Sequence, residues 1–248
     1  MKDPVLIPMG ACCTPAGALR ELGLRTCAYP FDWLVSPSHA ILACLREDFA
    51  RFLASPRLED RHATRSAIVD EYGFEFRHDF PTVESDDTAR AHPEGTIVDN
   101  WADFMPEVRA KYERRIARFR DAMTCGRPIL FLRRGETTDE VVAEMLAILR
   151  GRYPALECDV MVANAKVTGG IHIRDTPCWN SAEDWNAALS GRGTPRSCAP
   201  DPLFSAWNVK KKRRCGMWLS KLVLLLAVSA NRMCAGVAYK GYKIVLQS

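Results

Sequence analysis

The sequence predicts an α/β fold: a mostly parallel sheet flanked by helices, forming a single main domain over residues 1–190, with an appendage over 191–248. Three observations carry this reading. Pro128-Ile129-Leu130-Phe131-Leu132 is a short apolar run that reads as a buried strand. Thr138-Asp139-Glu140 caps a helix with the apolar stripe Val141, Val142, Met145, Leu146 and Leu149, and Asp159-Val160-Met161-Val162-Ala163 is a second buried strand. Strand, helix and strand within about 35 residues make a βαβ unit, whose strands run parallel.

The N-terminal elements repeat that grammar. Val5-Leu6-Ile7-Pro8-Met9 reads as a buried strand ending at Gly10. Thr14-Pro15-Ala16 opens a helix, because a proline in the first turn lacks only an N–H that would have no partner there. Ala18, Leu19 and Leu22 give that helix its stripe, and Gly23 stops it. Tyr29-Pro30-Phe31-Asp32-Trp33-Leu34-Val35 is aromatic and punctuated by proline. From Ser38 to Phe52, the residues Ile41, Leu42, Leu45, Phe49 and Phe52 recur at helical spacing. Residues 55–70 are polar and charged. Phe74-Glu75-Phe76-Arg77-His78 alternates like a strand, and 81–97 reads as a long loop. Trp101–Met123 reads as one or two helices, with Tyr112, Ile116 and Phe119 inward and most of Arg114, Arg115, Arg118 and Arg120 outward. Ile171-His172-Ile173 suggests a short strand, and Ser181–Leu189 a short helix carrying Trp185.

Composition narrows the function classes. With 48% hydrophobic and 26% charged residues, the chain has globular composition. The net charge of +4 is smaller than the five cations of Lys210-Lys211-Lys212-Arg213-Arg214, so the rest of the chain is nearly neutral and nucleic acid is not an expected partner. That basic run follows a Gly/Ser/Pro-rich linker over 190–202 and precedes an apolar stretch, Met217–Ala230, which is shorter than the ~20 residues of a membrane span. The run is expected to be a solvated linker, with weak docking on an anionic membrane or a partner as the other option. Ten cysteines without a CxxC pair, in a chain large enough for its own core and without a visible secretory leader, predict reduced thiols and a cytoplasmic location.

Chemistry concentrates at Gly10-Ala11-Cys12-Cys13-Thr14-Pro15-Ala16. A cysteine where a strand hands over to a helix meets free backbone N–H groups and the positive end of the helix dipole, which favour a thiolate and can hold an oxyanion. Cys13 lies nearer the first turn than Cys12 and is the expected nucleophile. Its base is expected in His78, at the end of a predicted strand, with Asp79 able to orient the imidazole only where the chain turns, since neighbours on a regular strand face opposite ways. Asp32 is the other acid able to hold the ring, and His172 is a rival base. His39, His62 and His92 look like surface residues. Gly10, Cys12, Asp32 and Arg133 are expected around the substrate. Arg133-Arg134, at the end of a buried strand, are well placed to reach a ligand. The chain lacks a Walker loop, G-x-G-x-x-G, H-E-x-x-H and G-x-S-x-G.

The motif order also resembles a known family. Gly10-x-x-Cys13-x-x-Ala16, Leu19-Arg20-Glu21-Leu22-Gly23-Leu24-Arg25, Tyr29-Pro30-Phe31-Asp32-Trp33, His78-Asp79-Phe80, Arg114-Arg115-Ile116-x-Arg118-Phe119 and Ile129-Leu130-Phe131-Leu132-Arg133 follow one another as in the DUF1796 group of papain-like cysteine peptidases, over about residues 5–190. The resemblance implies a cysteine nucleophile at Cys13 and a histidine at His78. It also implies a papain-like α+β fold, an alternative to the parallel sheet read from residues 128–163. Cys12 departs from the pattern by making a tandem thiol.

Two functions are therefore expected. The first is a cysteine-nucleophile hydrolase, either a peptidase or an acyl transferase, acting on a peptide or small acyl substrate and needing no cofactor or metal. The second is a noncatalytic or differently catalytic α/β domain that binds a small anionic ligand, such as a sugar or nucleotide phosphate, through the Gly10 turn and Arg133-Arg134.

Overall fold

The computed structural model describes residues 3–62, 65–83, 95–174 and 181–191. All of them belong to the compact unit Met1–Asp201. The basic run Lys210–Arg214 and the apolar stretch after it lie outside the described residues.

The βαβ unit is present. Strand β1 (Val5–Pro8) leads through helix α1 (Thr14–Glu21) into the rest of the chain, and it pairs in parallel with β6 (Ile129–Arg134), Val5 opposite Ile129 and Pro8 opposite Leu132. Helix α4 (Asp139–Arg152) then carries the chain to β7 (Cys158–Ala163), parallel to β6 on its other side. The three-stranded order is β1-β6-β7. As expected, Thr138 caps α4, its hydroxyl accepting from the Val141 N–H. Ile171 adds one parallel bridge to Ala163, the remnant of the short strand expected there.

The sheet is apolar on both faces because both are covered. Period-two alternation divides its side chains. Ile7, Ile129, Phe131, Val160 and Val162 enter one core, and Leu130, Leu132, Met161 and Ala163 enter the other. The second core is closed by Ala18 and Leu19 of α1 and by Trp185 and Leu189 of α5 (Ala182–Ser190). The first contains buried residues of α2 (Ser38–Arg46), α3 (Met105–Thr124) and α4.

The expectation of a mostly parallel sheet needs correction. A second, antiparallel sheet runs in the order β2 (Leu34–Val35), β5 (Glu75–Phe76), β4 (Arg65–Val69), β3 (Arg57–His62). The fold is thus mixed, with helices and both kinds of sheet, and a papain-like α+β arrangement is compatible with it. The β3–β4 hairpin occupies the segment that reads only as polar and charged. Its outer strand has an exposed edge that carries Arg57, Glu59 and Asp60, while Ala67, Ile68 and Val69 of β4 are all buried, so neither strand alternates cleanly.

Helix α2 ends six residues before Phe52. Asp48, Phe49 and Leu53 take left-handed backbone angles, and the Phe49 N–H bonds back to the Cys44 carbonyl. The turn sends Phe49 and Phe52 into an aromatic cluster. Phe49 lies 5.6 Å from Phe31 and 5.4 Å from Phe119, and Phe52 lies 5.3 Å from Tyr112, between ring centroids. Tyr112 and Phe119 of α3 face inward as expected, and Ile116 is half-buried. Among the described residues no helix is long and apolar enough to cross a membrane.

A buried carboxylate sets the turn from β4 to β5. Asp70 accepts from the backbone N–H groups of Leu53 (3.1 Å), Tyr72 (3.1 Å) and Phe74 (3.0 Å). Burial pushes its pKa up to about 6 against those bonds. An acid whose folded pKa is raised is most favourable to the fold below its ordinary value, and that contribution is lost as pH rises through about 6. We expect wild-type stability, followed by urea denaturation, to decline from pH 4 to pH 6 and Asp70→Asn to flatten that slope. Asp70→Ala leaves three buried donors without an acceptor and is expected to cost about 3 kcal/mol.

Candidate functional site

The parallel strands end on one edge, and the glycine turn after β1 begins there. Met9 still bonds to β6, its N–H donating to the Leu132 carbonyl at 2.7 Å. Gly10 (φ +68°) and Ala11 (φ +64°) then turn in left-handed backbone. Gly10 is required twice over, because a Cβ there would stand 1.7 Å from the Ser36 hydroxyl oxygen. That oxygen accepts from the Ala11 N–H at 2.7 Å, and the Ser36 N–H returns to the Ala11 carbonyl at 3.4 Å. Ser36 thereby fixes the loop, a role the sequence reading missed. Its position in Val35-Ser36-Pro37-Ser38, ahead of a helix, is the one local hint.

Cys13 is the N-cap of α1, and its carbonyl accepts from the Gly17 N–H at 3.0 Å. No side chain caps this helix, and Pro15 stands in its first turn as expected. Cys12 and Cys13 are both half-buried. The Cys12 sulfur lies against the Thr14 hydroxyl and 3.9 Å from Nη1 of Arg134. Cys12, the α1 N-terminus and Arg134 therefore share the carboxyl edge of the sheet, where open α/β sheets bind ligands.

Arg133 is not at the surface of that edge, and its expected contact with substrate is corrected here. It is fully buried because it alternates with Arg134 along β6 and points to the face that Phe131 packs. Its guanidinium donates to the Thr137 hydroxyl (2.7 Å), the Met9 carbonyl (2.8 Å), the Ser36 carbonyl (3.1 Å) and the Ser38 hydroxyl (3.0 Å). Burial lowers its pKa to about 10, which leaves it charged at neutral pH.

His78 belongs to the other sheet. Strand β5 stops at Phe76 and the chain bends through 77–80, the turn that a joint role for His78 and Asp79 requires. The imidazole is half-buried and meets the Trp33 ring edge-on, 5.9 Å between centroids. Burial pushes its pKa down, Arg77 adds to that, and Asp79 opposes it, so the ring is neutral at neutral pH. Asp79 is buried and anchored to α3, accepting from the Tyr112 hydroxyl at 2.8 Å and pairing with the Lys111 ammonium at 2.6 Å. Its influence on His78 is electrostatic, and its hydrogen bonds go to α3. Lys111 and Tyr112 were not foreseen in that role, because only the tertiary fold brings α3 to the 77–80 bend.

Asp32 is wholly buried and receives Arg25 through Nε (3.0 Å) and Nη2 (2.7 Å). Its Oδ1 has no hydrogen-bond partner among the described residues, and burial raises its pKa. Arg25 also lies over the Trp33 ring, 5.6 Å from its centroid. The segment 31–36 thus touches both the cysteine loop and His78. Ser36 holds the cysteine loop, Trp33 packs on His78, and β2 between them pairs with β5. Among the other histidines, His172 and His39 are exposed, His92 lies outside the described residues, and His62 is in β3 on the far edge of the antiparallel sheet.

Residues 5–166 match the family described as "Putative papain-like cysteine peptidase (DUF1796)". A relative in Acanthamoeba polyphaga mimivirus, the uncharacterized protein R408, is 26% identical over 151 residues, covering 53% of this chain and 62% of that protein. The chain thus matches less than two thirds of that relative's length. No solved structure matches the chain. The matched span of 5–166 takes in well over half the chain, including the cysteine loop, the His78 bend and both arginines of β6, and the chain belongs to the DUF1796 family.

Proposed function

We propose that this protein is a cysteine-nucleophile hydrolase, a peptidase or acyl transferase, with Cys13 attacking the carbonyl of a peptide or small acyl substrate and His78 moving the proton. The observation that carries the reading is the position of Cys13, at the uncapped N-terminus of α1, directly after the left-handed Gly10–Ala11 turn, on the carboxyl edge of the parallel sheet. Family membership supports it at the level of cysteine hydrolase chemistry.

In this mechanism the Cys13 thiolate adds to the carbonyl carbon, and the negative charge passes to the carbonyl oxygen. Backbone N–H groups of the first turn of α1 receive that oxyanion. Pro15 contributes none, which leaves Cys13, Thr14 and Ala16 as donors. His78, neutral because it is buried, takes the thiol proton and returns it to the leaving group. The acyl thioester left on Cys13 is then transferred to water or to another acceptor. Asp79 stabilises the imidazolium by charge while α3 holds it in place. Asp32 and Arg25 support Trp33, the ring on which His78 rests.

A second reading, a domain that binds a phosphate-bearing ligand, draws on Arg134 and the α1 N-terminus at the same edge. The two readings diverge at the sulfur. Under the enzyme reading, Cys13→Ser lowers turnover of peptidyl or thioester substrates about a thousandfold or more, while Cys12→Ser keeps most of it. Under the binding reading neither substitution matters, and nucleotide or sugar-phosphate affinity depends on Arg134.

His78→Ala is expected to lower kcat/KM by about 10²–10⁴. Because burial holds the imidazole below its ordinary value near 6.5, kcat/KM should be flat at neutral pH and fall only in more acid solution, which a pH–rate profile measures. Gly10→Ala combines left-handed strain with a collision at Ser36. It should lower both the melting temperature and the alkylation rate of Cys13, with a stability cost of about 2 kcal/mol or more.

A further inference from the structure

Among the described residues, Arg133 is a buried cation that bonds to no opposite charge. The two buried carboxylates near the site are each paired with a cation, Asp32 with Arg25 and Asp79 with Lys111. The Arg133 guanidinium donates only to neutral oxygens, two backbone carbonyls and two hydroxyls, and among the described residues no carboxylate bonds to it. Sealing a cation away from water without a counter-ion is costly. Here four neutral oxygens meet its donors, and its charge favours any negative charge that forms nearby.

The place where a negative charge can form is the cysteine loop. Arg133 grips the Met9 carbonyl at the root of that loop and the Ser36 carbonyl, whose residue holds Ala11. Its neighbour Arg134 reaches the Cys12 sulfur, and a charge on Cys12 acts favourably on Arg133. Two cations of β6 approach the loop, Arg134 at the Cys12 sulfur and Arg133 at the Met9 and Ser36 carbonyls. Helix α1 contributes the Thr14 hydroxyl beside Cys12, and the β2–α2 turn contributes the Ser36 hydroxyl, which accepts from the Ala11 N–H. Glu136, on the β6–α4 loop, is exposed.

We propose that Arg133 is the positioning residue of the site, a buried cation that fixes the Gly10–Thr14 loop and stabilises the thiolate formed in it. This rests on the cysteine-nucleophile reading and adds the source of the positive potential. The helix end contributes partial charges at the surface of the site, and Arg133 contributes a whole charge from beneath, where salt screens it least.

The test follows alkylation of the full chain by iodoacetamide against pH, with peptide mapping of Cys13 and of the exposed Cys125 as an internal reference. Wild type is compared with Arg133→Lys, which keeps the charge, and Arg133→Met, which keeps the bulk. The expected result is a Cys13 midpoint below that of Cys125. It should be nearly retained in Arg133→Lys and raised by about one pH unit in Arg133→Met, so that labelling at pH 7 slows about tenfold. Equal shifts in both variants, or no shift in Arg133→Met, would overturn the proposal.

Should Arg133→Met fail to fold, wild type decides alone. Raising salt from 50 to 500 mM should leave the Cys13 midpoint within about 0.3 unit, because a buried charge is little screened. A midpoint that climbs to that of Cys125 in high salt assigns the effect to half-buried Arg134 and removes Arg133 from the role. If Cys13 matches Cys125 in wild type at both salt concentrations, the cysteine-nucleophile reading itself fails, and the proposal fails with it.

Discussion

A guanidinium without exposed surface ties together three segments that are far apart in the chain. Arg133 bonds the end of β1 at Met9, the turn before α2 at Ser36 and Ser38, and the loop after β6 at Thr137. Each bond alone is worth about 1–3 kcal/mol, as hydrogen bonds from a charged donor are. Their joint effect is geometric. Ser36 holds the left-handed Gly10–Ala11 turn by receiving the Ala11 N–H, and Arg133 in turn holds the Ser36 carbonyl. The helix that begins at Cys13 inherits its direction from this arrangement.

The two sheets contribute different parts of the proposed site. The parallel sheet is covered on both faces, so its strands are rigid and its carboxyl edge is the place where loops can expose reactive groups. The antiparallel sheet delivers His78 from a strand of only two residues. Such a short strand is held by what surrounds it, namely Phe76 against Tyr112 at 5.2 Å, Asp79 on α3 and Trp33 from the neighbouring segment. The imidazole is therefore positioned by tertiary packing more than by the sheet itself.

Charge around the site is arranged in depth. Asp32 and Asp79 are both nearly free of solvent, and each has a cation, Arg25 or Lys111, whose own side chain is partly exposed. Those cations keep a hold on water while their partners do not, which lowers the desolvation cost of each pair. Close by, Arg115 lies over the Tyr112 ring at 4.8 Å, and its positive charge eases the ionisation of buried Asp32. Asp32 Oδ1 and Arg115 Nη1 both lack a hydrogen-bond partner among the described residues.

Local sequence determined the parts of this protein that rest on periodicity and capping. The parallel strands, helix α4 with its Thr138 cap, helix α5 with its Ser181 cap and buried Trp185, and the cysteine at the start of α1 follow from apolar runs, stop signals and first-turn chemistry within a few residues of each other. The order of motifs also carried the family. Tertiary structure alone decided the rest, because those features depend on partners distant in the chain. The β3–β4 hairpin gives no clean alternation, since β3 is an edge strand and Ala67, Ile68 and Val69 of β4 are all buried. Helix α2 stops early because Phe49 and Phe52 gain more from the aromatic cluster than from another helical turn. Arg133 looks like a ligand contact in a row of two arginines, and only strand alternation against a filled core turns it inward while Arg134 stays at the rim. Asp79 looks like the partner of the histidine beside it, yet a helix that begins 26 residues later claims its oxygens.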